Sequence, residues 1–413
     1  MKKIISILIT AVFLLPTEAF CLRPRAVADS ARALGFSPGN SMRLEIADEM
    51  ETASRRAAFM ILSDYNKAIK NKGYYVLGLA SGNTPIRLYE ILVLLAGKGL
   101  LDFSKITTFN MDEYEGLDPK AVGNMTPEDP GDPNISFTAF MYHYLFAKLL
   151  ELRLIPVDYT AQNAHIFESN PIDAGAMCAA YERKITDSGG VDTWIGGVGR
   201  NGHIAFNEPR GQVMTAGKKV DVDSGTSADC VSRRMFLTQD TVEMRAPDFE
   251  YIDPNDPSKG RRWVSETDRG LIFVEPNAHG AREITRDEAL QMVPRTGFTI
   301  GLKTFREARH QIILAGGKGK ANAIRAGMKD MPNNDCALSL LQNCPNCDVI
   351  VDVEAAAELR GEAYAITDMA AVRDTFARHF PGEVKINSGP QALPDAKEVL
   401  SNHGGNSAAQ TQI

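Results

Sequence analysis

The sequence predicts an α/β protein: a doubly wound, Rossmann-like, mostly parallel sheet with helices on both faces, forming one main domain that carries a lid-like insertion. Two observations lead there. Apolar runs of strand length alternate with longer segments of helical period from about residue 42 to residue 360. Polar and glycine-rich residues collect just after those runs, beyond the carboxyl ends of the strands, where such sheets bind ligands.

The elements follow in chain order. Residues 1–21, MKKIISILITAVFLLPTEAFC, place two lysines before an apolar stretch and then small and polar residues, the pattern of a secretory signal peptide. The apolar run is short for a membrane span, and a retained, membrane-tethered N-terminus is the alternative. No other stable membrane span is expected. Residues 22–41 read as a linker. From Met42 the pattern reads as helical, with Leu44, Ile46, Ala47 and Met50 opening an apolar stripe that continues through Ala57, Met60 and Ile61. YYVLGLA (74–80) is a strand, SGNTP interrupts it, and IRLYEILVLL resumes at helical period. KITTFNM (105–111) is a second strand, ending in Asp112, Glu113 and Tyr114. SFTAFMYHYLFAKLL (136–150) and AGAMCAAYERKIT (174–186) are helices. VDTWIGGVG (191–199), GFTIGLKTF (297–305) and QIILAGG (311–317) are strands, the last running into the helix KGKANAIRAGM, and VIVDVEAAAELR closes the alternation. Residues 212–293 are polar and irregular, with turn signals such as DPNDPSKG, and read as a lid carrying an insertion. Residues 361–413 form a C-terminal extension whose end is poor in large apolar residues and is expected to be disordered.

A composition of 44% hydrophobic and 23% charged residues supports a core of ordinary size. A net charge of −7 with no long basic run argues against a nucleic-acid partner. A small anion is not excluded, because local donors hold it. Cys344 and Cys347 form a CxxC with no second pair at metal-ligand spacing, so no metal site is expected. Two loop cysteines beside a turn at Pro345 and Asn346, or a local disulfide, are the readings left.

Four loops carry the chemistry. SGNTP leaves unpaired N–H groups at a helix N-terminus, with Ser81 and Thr84 hydroxyls and Gly82 admitting close approach. It reads as a phosphate cradle or as a plain N-cap by Thr84. In MDEY, Asp112 or Glu113 is either a general base or a solvated acid. In GGVGRNGHIAFNEP (196–209), glycine density around His203, with Asn207 and Glu208 close behind, suits proton transfer near neutral pH, or a structural histidine. In GGKGKANAI, Lys318 or Lys320 at a helix start can neutralise an anion, but the Walker A spacing is absent.

At these residues the chain resembles the glucosamine-6-phosphate deaminase (isomerase) family, which shares its fold with 6-phosphogluconolactonases. LGLASGNTP, TFNMDEY, SFTAFMYHYLF, GGVGRNGHIAFNEP and LAGGKGKANAI match in order and approximate spacing, over roughly residues 42–360. The resemblance implies conversion of glucosamine 6-phosphate and water into fructose 6-phosphate and ammonia, without metal or organic cofactor. It implies that Ser81, Gly82, Asn83, Thr84 and Lys320 hold the phosphate, that Asp112 moves the C2 proton to C1, and that His203, assisted by Asn201 and Glu208, opens the ring. Lactone hydrolysis and a non-catalytic sugar-phosphate sensor are the alternatives. The chain departs from the family pattern twice. Asn201 stands where many members have Asp. In the lid string LTQDT (237–241), Val242 follows where the family has a phosphate-binding arginine, and Arg245 comes three residues later. A phosphosugar substrate fits the cytoplasm while the leader reads as export. The sequence allows a homo-oligomer without specifying one.

Overall fold

A computed structural model of the chain describes residues 40–359, apart from 216–217, 253–259 and 268–269. The leader, most of the linker and the C-terminal extension lie outside the described residues.

The first elements are β1 (Arg43–Ala47), helix α1 (Met50–Lys72), β2 (Tyr75–Leu79), α2 (Ile86–Gly97) and β3 (Ile106–Asn110). The sequence predicts one helix from Met42; the structure splits it. Leu44 and Ile46 alternate at period two, which suits an edge strand, and the helical period begins only at Met50. After β3 come β4 (Asp112–Tyr114), α3 (Phe137–Met141), β5 (Ala164–His165), α4 (Ala174–Asp187) and β6 (Thr193–Gly197). Tyr142–Phe146 continues α3 as a π-helical turn before Ala147–Glu151. Then follow β7 (Gly211–Thr215), β8 (Lys218–Val222), β9 (Arg233–Phe236), α5 (Gln239–Glu250), β10 (Trp263–Thr267), β11 (Gly270–Phe273), β12 (Arg282–Glu283) and α6 (Arg286–Met292). The last are β13 (Thr296–Thr299), α7 (Leu302–Arg306), β14 (His310–Ala315), α8 (Ala321–Lys329) and β15 (Cys347–Asp352).

Seven strands form a parallel sheet in the order β1-β15-β14-β6-β2-β3-β5. All five residues of β2 are buried, as a central parallel strand covered on both faces requires. Gly78 in β2 lies opposite Trp194 in β6, and a Cβ there would come 0.9 Å from the indole, so this sheet position admits only glycine. Right-handed crossovers put α1 and α2 on one face, and α4, α7 and α8, whose connections run the opposite way, on the other. From β2 the chain winds outward through β3 and β5, then returns to β6 on the other side of β2. The loops after β2 and β6 therefore diverge, opening a crevice at this switch point.

Two further sequence readings are corrected. GFTIGLKTF is not a central strand: β13 spans four residues, pairs antiparallel with β4 and β9 in a separate sheet, and gives way at Gly301 to α7. A Cβ on Gly301 would meet the Cys230 carbonyl at 1.8 Å, a close approach that ends the strand. Residues 212–293 are not irregular. They hold the β7–β8 hairpin, β9, the β10–β12 sheet and two helices around their own apolar cluster of Leu237, Val242, Phe249, Val264 and Ile284. Polar surface positions masked that cluster in the sequence.

Cys344 and Cys347 are buried free thiols bracketing a turn closed by Cys347 N–H to the Cys344 carbonyl, in line with the loop-cysteine reading. Among the described residues no helix is long and apolar enough to cross a membrane.

Candidate active site

The loop after β2 turns through Gly82 at φ +94°, a conformation that favours glycine, and a Cβ there would meet nothing within 4 Å. Its backbone therefore faces open space. Thr84 does not cap α2; the N-cap position is Pro85, which makes no side-chain cap bond. The Thr84 hydroxyl instead accepts from Lys320 Nζ at 3.3 Å. That contact joins the loop after β2 to the loop after β14, and it separates Lys320 from Lys318, which is exposed. The Lys320 ammonium is pushed down to about 8, first by burial and then by the charge of Arg200, while Asp352 works the other way. Asp352, ending β15, fixes this loop: both carboxylate oxygens accept from Gly317 N–H, at 3.1 and 2.9 Å.

Asp112 follows β3 at the point where the chain leaves the parallel sheet. Met111 still donates to the Leu79 carbonyl, but Asp112 already pairs with Thr299 of β13. Its carboxylate is 6% exposed and accepts from Ser81 Oγ at 3.2 Å, so the acid touches the loop after β2. Burial, and then the neighbouring Glu113 charge, push it up to about 7; Ser81 and Arg245 pull the other way. Glu113 has a different role. It is fully buried and accepts from the Ser136 and Thr138 hydroxyls and from the backbone N–H groups of Tyr114, Phe137 and Thr138. It anchors the start of α3 and is not free to move a proton.

The glycine-rich loop after β6 wraps around His203. A Cβ on Gly199 would lie 2.4 Å from the imidazole, so the ring packs directly over glycine backbone. Ala205 sits at φ +51°, a strained value for a residue with a side chain and one that clusters at functional turns. The HIAF segment forms a tight turn closed by an Ile204–Asn207 bridge instead of a strand. Phe206 N–H donates to Thr299 Oγ1, and Asn207 Nδ2 donates to the Ile300 carbonyl. β13 and its exit thus hold Asp112 and the His203 loop together.

His203 Nδ1 lies 3.7 Å from Glu208 Oε1, and Thr241 Oγ1 touches both, 3.5 Å from the ring nitrogen and 2.8 Å from the carboxylate. Thr238 Oγ1, the N-cap of α5, also donates to Glu208 at 2.8 Å. Burial first, and then the Lys320 charge, push His203 down to about 4, so the ring is neutral at pH 7. Burial pushes Glu208 up to about 7 against the hydroxyl bonds that it accepts. Asn201 departs from expectation. Its Oδ1 accepts from the backbone N–H of His203 at 3.2 Å and its Nδ2 donates to Glu208 at 3.4 Å. An amide divides its acceptor and donor between two partners, so Asn201 shapes the loop and the carboxylate without touching the ring.

Arg245 on α5 closes the crevice. It donates to Tyr114 Oη at 3.0 Å, pairs with Asp248 at 2.9 Å and lies over the Phe137 ring, and it lines a small cavity with Gly82, Asn83, Phe140 and Tyr144. Val242 is fully buried in apolar packing.

Nine positions read from the sequence thus fall into two groups that meet at the crevice. Ser81, Gly82, Asn83, Thr84 and Lys320 form one cluster, with Asp112 attached through Ser81. His203, Asn201 and Glu208 form the other. Sequence reasoning missed Thr238 and Thr241, although their spacing in LTQDT, one at an N-cap and one a turn later, is a signal that both face one side. It also gave no sign that Arg200 lies beside the Lys320 loop. Among the described residues no group of three or more His, Cys, Asp or Glu side chains is placed to hold a metal.

No family model matches the chain. Glucosamine-6-phosphate deaminase 2 of Mus musculus is 31% identical over 323 residues, covering 77% of this chain and 90% of that protein. The glucosamine-6-phosphate deaminase of Porphyromonas gingivalis is 31% identical over 324 residues, covering 78% and 96%. A solved structure of a monomeric glucosamine-6-phosphate deaminase is 26% identical, with a TM-score of 0.55, covering 77% of this chain and all of that one. The match takes in 90% or more of each of these relatives, and the chain belongs to the glucosamine-6-phosphate deaminase family.

Proposed function

We propose that the protein is a glucosamine-6-phosphate deaminase: it isomerises an aldose to a ketose with loss of the C2 amine, giving fructose 6-phosphate and ammonia. Because water cleaves the C–N bond, the reaction is a hydrolysis in its net balance. The observation that carries this reading is the contact of Asp112 with Ser81. It places a buried carboxyl, pushed up to about 7, against the loop that would pin the far end of a phosphosugar.

The phosphate is held by the backbone N–H groups and hydroxyls of Ser81–Thr84 and by Lys320, a point charge at a helix start. This remote binding fixes C2 against the base, so binding energy is spent on orientation. His203, neutral at pH 7, takes the proton of the anomeric hydroxyl and returns it to the ring oxygen, opening the pyranose. Thr241 and Glu208 stabilise the imidazolium that forms in passing, and Asn201 holds the loop. Asp112 removes the C2 proton while O1 takes up a proton from water, giving an enolamine, and delivers it to C1 as the nitrogen gives a proton back to water. The resulting C2 imine adds water, and the C–N bond breaks to release ammonia and the ketone. A base whose pKa lies near working pH suits this two-way transfer, and such a group contributes about 10²–10⁴-fold. Residues 212–293 act as the lid, with Arg245 its inner face.

The test is release of ammonia and fructose 6-phosphate from glucosamine 6-phosphate by the purified protein, with hydrogen exchange at C2 followed in deuterated water. Turnover of 6-phosphogluconolactone instead, unaffected by Asp112→Asn, or tight binding without turnover, overturns the assignment.

A further inference from the structure

We propose that Arg200 is a second phosphate-binding cation, so that the phosphosugar is recognised by a lysine from the loop after β14 and an arginine from the loop after β6. The inference rests on the phosphosugar reading above and goes beyond it in naming how a doubly charged group is matched.

The argument begins with charge. A phosphate monoester loses its second proton near pH 6 and is mostly dianionic at neutral pH. Lys320 alone supplies one positive charge. Three other cations stand near the crevice. Lys318, in the same loop as Lys320, is exposed, as Arg200 is, but the cation whose charge acts on Lys320 is Arg200. Arg245 is engaged by Tyr114 and Asp248. Arg200 makes no hydrogen bond or ion pair among the described residues, although it stands one position before Asn201 in the turn that carries His203.

Geometry places it at the phosphate loop. A Cβ built on Gly319 would lie 3.4 Å from Arg200 Nε, so the guanidinium stem rests against the backbone one residue before Lys320. A larger side chain at 319 would crowd that position. Two cations held close repel, and Lys320 registers this after its burial: Arg200 is the strongest charge acting on it and lowers it, against the weaker opposing pull of Asp352. An anion between them removes the repulsion and gains a planar fork of donors beside an ammonium, the arrangement suited to phosphate oxygens. The buried, apolar Val242 leaves the α5 start without a cation of its own, and Arg200 fills that need from the opposite wall.

The experiment compares the parent protein with Arg200→Gln and Arg200→Lys. Binding of inorganic phosphate is measured by calorimetry, and KM and kcat for glucosamine 6-phosphate by ammonia release. Loss of one charge-assisted contact is expected to weaken phosphate binding and raise KM by roughly 10-fold or more, with kcat largely kept. Arg200→Lys is expected to recover most of the loss. A readout independent of folding is the alkaline fall in phosphate affinity. Lys320 faces Thr84, Arg200, Asp352 and His203, and removing Arg200 is expected to move that fall to higher pH. If Arg200→Gln binds phosphate and substrate as the parent does, the inference fails while the deaminase reading stands. If the parent binds phosphate with the expected Arg200 dependence but does not turn over the amino sugar, the deaminase reading fails and this one survives.

Discussion

Asp112→Asn separates catalysis from stability, because the mechanism proposed above gives the carboxyl a use while its burial gives it a cost. Its rise from 3.8 to about 7 means that holding the ionised form in its buried site costs roughly 4 kcal/mol relative to water. The native state keeps the proton that the unfolded chain gives up between those values, so this contribution to stability falls as pH rises through the window and is fully lost above about 7. Asn is nearly isosteric and cannot ionise. Turnover is expected to fall by about 10²–10⁴-fold, with C2 exchange lost in parallel. Thermal unfolding at pH 8 is expected to show the variant more stable than the parent, by up to a few kcal/mol, with the difference vanishing near pH 4. In the parent, kcat/KM is expected to rise through an ionisation near pH 7 as the base loses its proton. Ser81→Ala removes a bond that favours the carboxylate, so the same limb is expected to move to higher pH. The assays are ammonia release across pH and unfolding by calorimetry. An Asp112→Asn protein with full activity, or one less stable than the parent at pH 8, refutes the reasoning.

Other outcomes follow from single contacts. Gly199→Ala puts a methyl 2.4 Å from the His203 ring and is expected to cut kcat by 10-fold or more, on the order of what a displaced catalytic group costs, with unfolding temperature little changed. Asn201→Asp brings a second carboxylate to 3.4 Å from Glu208, and is expected to raise the Glu208 pKa further and shift the pH profile of kcat without abolishing turnover. His310, at the far end of the sheet, bonds Asp64 at 2.5 Å and Asp348 at 2.7 Å. Although burial opposes it, these bonds raise it from 6.5 to about 9. Their contribution of about 3 kcal/mol is present below pH 6.5 and lost as pH rises toward about 9, and unfolding of His310→Gln is expected to lack that decline.

The parallel sheet was legible because its strands are buried on both faces and so write themselves as unbroken apolar runs, YVLGL in β2 being the clearest. The antiparallel sheet was not. β4 is three residues of Asp, Glu and Tyr, a string whose acids are buried by partners far away in sequence: Thr299 beside Asp112, and the start of α3 around Glu113. No local pattern separates such a strand from a solvated loop. The same limit hid the role of GFTI, whose β-branched and aromatic residues suit either sheet. The candidate loops were easier to locate, since glycines and a histidine after a strand are a local signal. What the sequence could not give was the difference between neighbours: Asp112 bonded to the Ser81 loop but Glu113 locked at the start of α3, Lys320 turned to Thr84 but Lys318 exposed.

β13 explains why those divisions are sharp. A carboxyl and a histidine on separate loops of a parallel sheet would each drift with their own loop. Here both loops leave the sheet and bond to the same short strand, Asp112 by backbone pairing at Thr299, and the His203 turn through the Thr299 hydroxyl and the Ile300 carbonyl. Thr299 is fully buried, so this link is not exchanged with water. The Tyr114 and Phe206 rings then meet at a tilt with centroids 5.3 Å apart, and Arg245 donates to the Tyr114 hydroxyl, tying α5 to both loops. Two groups that act in turn on one bound sugar must be fixed relative to each other to within a fraction of an ångström. The secondary sheet supplies that fixity, and it accounts for a chain that spends buried polar residues where a parallel sheet alone would spend none.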